Sequence, residues 1–316
     1  MSELRGAMLR YLSLRRSLGF KLLKTERILR GFVAFAESEG ASHVTTDLAL
    51  RWVNLSTAKE SATLADMLNM IRGFAKWRSA TDERTEVPPK NLLPYRYKRK
   101  PPYIYNDEEI EKLVRTARLL PSPKGLRGPT YATIFGLLAV TGMRLSEALS
   151  LDREDVDLQE GLLNIRKSKF RKSRLVPVHV TTRDALSDYA KMRNRMFPKL
   201  ESAAFFVSER GFRITCWAAE DNFGKVSHQI GIRKKASGKR RGRGPRLHDM
   251  RHRFAARTLV DWSRAEVSIE REIHKLSTYL GHSHVNNTYW YLEGIPELLE
   301  LATRKLMDER KEADDD

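Results

Sequence analysis

The spacing of apolar and polar positions divides the chain into a first stretch of short amphipathic helices and a longer second stretch that mixes helix with a little strand. Leu4, Met8, Tyr11 and Leu12 recur near helical spacing with arginines on the other side, which predicts a basic amphipathic helix at the start. A second helix is expected to begin at a Thr25 cap, to turn Ile28, Phe32, Phe35 and Ala36 inward and to stop before Gly40. Thr46 reads as the cap of a third helix through Leu48, Trp52 and Leu55. A fourth runs through Leu64, Met67, Leu68, Ile71, Phe74 and Trp77. Four helices over residues 1–80 make a small bundle, the body of a domain expected to span residues 1–94.

The pattern then breaks. Val87-Pro88-Pro89 and Leu93-Pro94 interrupt helix, and residues 95–105 combine prolines and tyrosines with Arg96, Lys98, Arg99 and Lys100. Such a segment favours extended chain. It reads as a linker lying along a polyanion or, nearly as well, as a solvated spacer. Asn106 or Asp107 restarts helix, and residues 130–149 form a strongly apolar helical stretch ending in Thr141-Gly142-Met143-Arg144, where the Thr-Gly closes a buried helix. Leu162–Ile165 and Leu175–Val178 read as the strands of a hairpin joined by the basic turn Lys167 to Lys172. Further helices are expected at 182–196, 215–230, 247–263, 270–280 and 296–310. The expected fold is mainly α, with a helical bundle followed by a mostly helical domain (106–295) carrying a small antiparallel sheet, and a C-terminal helix and tail (296–316).

Composition adds a partner. Lys and Arg outnumber Asp and Glu by 58 to 40, a formal charge of +18 on 316 residues. A compact chain with that excess repels itself unless it meets a polyanion, nucleic acid first and an anionic membrane surface second. No run approaches the ~18 apolar residues of a membrane-spanning helix. Arg5, Arg10, Arg15, Arg16 and Lys21 loosely imitate a transit peptide, but the amphipathic-helix reading is preferred because the pattern runs directly into further helices. The single cysteine, Cys216, forms no internal disulfide, which suits a reducing cytosol, and is read as a core thiol. The densest basic run, Arg233 to Arg246, includes Arg240, Arg241 and Arg243, several glycines and no acid. It reads equally as a phosphate-docking loop or a solubilising one.

Four segments carry candidate chemistry, each weak alone: Arg144 three residues before Glu147, the turn with Lys169, His248 and Arg251 at i,i+3, and His282 with Tyr291 nine residues later. In this order they resemble the tyrosine recombinases and phage-type integrases. Thr-Gly-Met-Arg144-Leu-Ser-Glu147 looks like the family's first arginine motif, and Lys169, upstream of Arg174-Leu-Val-Pro, looks like its hairpin lysine. His248 and Arg251 match its His-x-x-Arg box, His282 in Leu-Gly-His-Ser matches the next histidine, and Tyr291 falls at the spacing of the nucleophile. The spacing from Arg251 to His282, the Tyr11–Lys21 stretch and the Tyr289–Pro296 stretch look like the transposon and integrative-element members, including those encoded as trios.

The resemblance implies a core-binding domain of SAM-like fold before a DNA breaking-rejoining catalytic domain. It implies site-specific cleavage and rejoining of double-stranded DNA through a 3′-phosphotyrosyl bond on Tyr291, with neither metal nor ATP. Arg144 and Arg251 would then hold the phosphate, His248 would accept the phenolic proton, His282 would donate to a phosphate oxygen, Lys169 would protonate the leaving oxygen and Glu147 would support them. Arg15, Arg16, Lys21, Arg171 and Lys172 join the linker and loop cations as candidate DNA contacts. The implied assembly is a homo-oligomer, a dimer per site and a tetrameric synapse, with or without sister recombinases, in a bacterial cytoplasm at the nucleoid. Two other readings stay open: a type IB topoisomerase, and an accessory subunit that binds DNA with little turnover. A zinc site at His248 and His252, with His282 and His284 downstream, is disfavoured because Arg251 sets a fixed cation beside it. Tyr289 and Trp290 are read as aromatic packing.

Overall fold

The computed structural model describes residues 2–58, 60–95, 102–166, 173–234, 244–282, 284–286, 288–289, 292, 300 and 303. The chain forms two compact units, Met1–Lys100 and Pro101–Asp316.

In the first unit, four helices follow one another: α1 (Glu3–Ser17), α2 (Leu23–Ser38), α3 (Thr46–Asn54) and α4 (Ser61–Arg78). The expected inward faces meet in one core that includes Leu4, Met8, Leu12, Phe32, Val33, Val53, Leu68, Ile71 and Phe74. Each such side chain contributes about 1.5–3 kcal/mol by leaving water. Two expected caps shift. α2 starts before Thr25, from Leu22 in the left-handed region (φ 51°), without a side-chain cap. At α3 the capping hydroxyl is that of Thr45, whose extended backbone lets Oγ1 accept the Leu48 N–H at 3.1 Å. Leu55 lies past the end of α3 and is exposed.

The second unit opens with α5 (Asp107–Arg118), whose Asn106 and Glu109 satisfy each other's backbone N–H in a capping box. Next come α6 (Arg127–Thr141), α7 (Leu145–Ser150), a 3-10 turn (Arg153–Asp155), β1 (Val156–Asp157), β2 (Leu162–Ile165) and β3 (Arg174–Pro177). α8 (Val180–Met196), α9 (Cys216–Gln229), α10 (Leu247–Arg264) and α11 (Ile269–Leu280) complete the described elements. The strands form an antiparallel sheet in the order β1-β2-β3, with Leu162 opposite Pro177 and Ile165 opposite Arg174. The fold is thus mainly α with a small antiparallel sheet, and β1 extends the expected hairpin.

α6 is buried on most of its surface and lies at the centre of the unit's main core. The apolar helix ends at Thr141-Gly142 as expected, and α7 carries the residues beyond Arg144. Gly142 ends α6 at φ 59°, where a Cβ would stand 2.6 Å from the Phe254 ring, so the chain turns at a residue only glycine suits. α10 and α11 share a second, smaller core of Ala255, Ala256, Leu259, Val260, Leu276 and Leu280. Cys216, expected in the core, is exposed on the first turn of α9 beside exposed Trp217. The inward positions of that helix are Ala219, Phe223 and Val226. The turn 167–172 and the loop 235–243 lie outside the described residues, as does the expected 296–310 helix apart from Glu300 and Thr303. Among the described residues, no helix is long and apolar enough to cross a membrane.

Candidate active site

Two helix ends converge where the sequence placed its arginines. A helix leaves its last carbonyls without partners and carries partial negative charge there. α6 ends in Gly142 and α11 ends in Gly281, both in the left-handed region. Arg251, on α10 and almost fully buried, bridges the two ends: Nη1 donates to the Gly142 carbonyl at 2.9 Å and Nη2 to the Leu280 carbonyl at 2.6 Å. Arg144, leading into α7, donates from Nη2 to the Gly281 carbonyl at 3.0 Å. A third guanidinium, Arg174 at the start of β3, donates from Nε to the Tyr279 carbonyl at 2.7 Å. Three successive carbonyls of the α11 end, at 279, 280 and 281, therefore each hold a different arginine. Carbonyls orient a guanidinium without cancelling its charge.

One carboxylate joins two of them. Glu147, nearly buried on α7, accepts from the Arg144 backbone N–H (2.9 Å) and from Arg144 Nη1 (2.7 Å). It also accepts from Arg174 Nη1 (3.2 Å) and Nη2 (2.8 Å). Burial alone would raise the pKa of this acid. The bonds from Arg174 and the Arg144 backbone, with the charge of Arg174, outweigh burial and hold it down at about 2. The carboxylate is thus ionised at neutral pH, and two guanidiniums, Arg144 and Arg174, face it.

His248 lies one turn before Arg251 on α10, with its ring edge-to-face on the His252 ring at 4.8 Å. The residue is exposed at the surface, yet protein atoms surround much of it. That burial, then the charge of Arg251, pushes its pKa down, with Asp249 opposing and Arg246 and Arg144 assisting. The imidazole is therefore neutral at pH 7. Asp249 itself is buried and tied to Arg246 at the helix start. His282 follows Gly281 directly, and its backbone N–H donates to the Ser277 carbonyl (3.0 Å). Its Nδ1 lies 2.7 Å from the hydroxyl of the fully buried Thr288.

The profile of the phage integrase family matches residues 105–295, more than half of the chain. The chain belongs to the phage integrase family. An integrase/recombinase of Sinorhizobium fredii, y4rB, is 45% identical over 97% of this chain and 98% of its own length. The tyrosine recombinase XerC of Thermodesulfovibrio yellowstonii is 28% identical over 74% of this chain and 71% of its own. The crystal structure of XerH recombinase bound to palindromic difH substrate, a post-cleavage complex, has the same fold. Its TM-score is 0.61 at 19% identity, over 88% of this chain and 77% of that one. This family member is a tyrosine-type site-specific recombinase, an enzyme of DNA recombination.

Of the residues singled out from the sequence, the described structure gathers Arg144, Glu147, Arg251 and His282 around the α6 and α11 ends, with His248 on the adjoining turn of α10. Lys169 and Tyr291 lie outside the described residues, as do Arg96, Lys98, Arg99, Lys100, Arg171, Lys172, Arg240, Arg241, Arg243 and Trp290. Arg15 stacks over the Phe20 ring at 4.3 Å, Arg16 pairs with Glu26, and Lys21 is exposed. Tyr289, expected to pack, is exposed, and so is His284. Among the described residues no group of three or more His, Cys, Asp or Glu is placed to hold a metal.

Arg174 and Thr288 are the residues the sequence reading did not single out. Arg174 left a signal. On β3 it falls two positions before buried Val176 and so shares the inward face, where a cation needs an anion. Thr288 left none.

Proposed function

We propose that this recombinase cuts and rejoins each DNA strand through a 3′-phosphotyrosyl bond on Tyr291. The observation that carries the reading is the pair Arg144 and Arg251, both aimed at one spot by the carbonyls that end α6 and α11. A phosphodiester resists attack because its oxygens are anionic and its leaving alkoxide is poor. Arg144 and Arg251 present planar donor forks to the non-bridging oxygens, and these bonds strengthen as charge grows in the pentavalent transition state. The Tyr291 oxygen attacks phosphorus and its proton passes to His248, whose lowered pKa keeps it an acceptor at neutral pH. The bond to the 5′ oxygen breaks, and Lys169 supplies that oxygen with its proton. With the Thr288 hydroxyl giving its proton to His282 Nδ1, the His282 ring proton sits on Nε2, the nitrogen that would donate to a phosphate oxygen. Attack of a 5′ hydroxyl reverses these steps. The ester keeps the energy of the broken bond, so rejoining needs no ATP, and the cations take the role a metal would otherwise fill.

The first unit serves as the core-binding domain, the 95–105 linker contacts DNA phosphates, and 106–295 performs the chemistry. The partner is a recombination site in double-stranded DNA, bound by a dimer that pairs into a tetramer. That the XerH substrate is palindromic supports two copies per site, because a two-fold site matches a two-fold pair of chains. The tail 296–316 either covers its own core or docks on a neighbouring copy. The enzyme works in a bacterial cytoplasm at the nucleoid, on a transposon or integrative element, alone or with sister recombinases.

The test is a nicked suicide substrate bearing the element's end sequence, resolved on a denaturing gel. The expected product is a covalent adduct that Tyr291→Phe abolishes and EDTA leaves intact. An adduct that survives Tyr291→Phe would overturn the assignment. No adduct on any cognate end points to an accessory subunit, and relaxation of any plasmid without site preference points to a topoisomerase.

A further inference from the structure

The two oxygens of Glu147 are each shared between two arginines. Oε1 accepts from Arg144 Nη1 and Arg174 Nη1, and Oε2 from the Arg144 backbone N–H and Arg174 Nη2. Arg174 spends its third nitrogen, Nε, on the Tyr279 carbonyl. Its side chain is 12% exposed. All three nitrogens of Arg174 are thus turned to the protein, and little of its surface could meet a substrate. The spot is also tight: a Cβ on Gly281 would stand 3.0 Å from Arg174 Nη1.

We propose that Arg174 is a positioning residue for strand cleavage. It bolts Glu147 to the end of α11 and, by bonding both carboxylate oxygens, leaves the Arg144 guanidinium one bond to each of Glu147 and Gly281. A carboxylate facing a single arginine takes it as a two-bond fork. Without Arg174, Glu147 would draw Arg144 into that fork and away from the Gly281 carbonyl, turning donors from the phosphate toward the carboxylate. Arg174 also fixes the root of the hairpin, since it pairs with Ile165 at the last rung of β2 and β3, five residues after Lys169. One side chain therefore sets the place of Arg144 and ties the first residue of β3 to the end of α11.

This inference rests on Arg144 acting as a phosphate ligand, and the test separates the two. Single-turnover adduct formation on the nicked site is measured for the unsubstituted chain, Arg174→Lys, Glu147→Gln and the double variant. Alongside it, affinity for the same DNA is read by anisotropy and melting temperature by calorimetry, with rates taken per molecule able to bind. Arg174→Lys is expected to cleave ~10²-fold more slowly, the scale of a misplaced catalytic group, with its affinity unchanged within about twofold. Adding it to Glu147→Gln should slow cleavage no further, because both act through one carboxylate. An unchanged rate, a loss that follows affinity, or independent losses in the double variant would each overturn the inference. Arg174→Gln, which can still donate to Tyr279, is run in parallel, and if neither variant folds, Arg174 is a stability residue and the inference fails. No adduct from the unsubstituted chain overturns the cleavage reading itself.

Discussion

Replacing Glu147 by Gln keeps the shape of the side chain and removes the carboxylate shared by Arg144 and Arg174. In the folded chain Glu147 titrates at about 2 against an ordinary 4.5. Each unit is worth 1.36 kcal/mol, so the ionised form contributes about 3 kcal/mol to stability at pH 7. Because the folded pKa is the lower one, that contribution is complete above the unfolded value near 4.5 and fades as pH falls toward 2. Linkage puts the loss at about 0.8 kcal/mol between pH 7 and pH 4, and at about 2 kcal/mol by pH 3. Glu147→Gln has no such titration. Urea unfolding of both chains, fitted with separate transitions for the two units, should show the second unit of the variant destabilised by about 3 kcal/mol at pH 7. The gap should narrow by about 0.8 kcal/mol at pH 4. A gap under about 1 kcal/mol at pH 7, or one that does not narrow, would mean that the arginines do not hold this carboxylate ionised.

Other changes have equally definite outcomes. Gly142→Ala forces a side chain into the left-handed region and against Phe254, and should cost about 1–3 kcal/mol, lowering the melting temperature of the second unit and slowing cleavage through Arg251; unchanged melting would refute the steric argument. Tyr105→Phe removes the 3.0 Å bond from the buried phenol to the Arg246 carbonyl and should cost about 1 kcal/mol in urea unfolding. A loss under a few tenths would mean that water replaces the bond. The adduct rate should hold as pH falls past the ordinary histidine range near 6.5 and then decline tenfold per unit, because burial and Arg251 keep His248 neutral longer. A decline that already begins above pH 7 would rule out His248 as the acceptor.

The parts legible in advance were those written by side-chain periodicity. Leu4, Met8 and Leu12, or Leu68, Ile71 and Phe74, repeat at helical spacing because they face one core, so the four-helix bundle was readable. Ends were harder. Thr45 and Thr46 are adjacent and chemically identical, and only backbone geometry decides which hydroxyl reaches Leu48. The break at Gly142 was readable, because a Thr-Gly closes the apolar run just before Arg144. Cys216 was misplaced because residue type alone says nothing of which side of a helix start faces out. In the site, Arg144, His248, Arg251 and His282 were readable from order and spacing. Arg174 was not, since its partners lie 27 residues before it and 105 after it. Nor was the set of carbonyls that hold the arginines, because every residue has a carbonyl and its direction is a property of the folded helix.

That last point bears on which changes the enzyme could tolerate over evolutionary time. The acceptors at 279 and 280 are backbone atoms, so their side chains are free to drift as long as packing holds, and only position 281 is tied to one residue type. Length is another matter. One residue inserted within α11 would turn its end by about 100° and carry all three acceptors away from their arginines together. This corner of the site is thus written in phase and not in letters: lenient toward replacement, severe toward insertion or deletion.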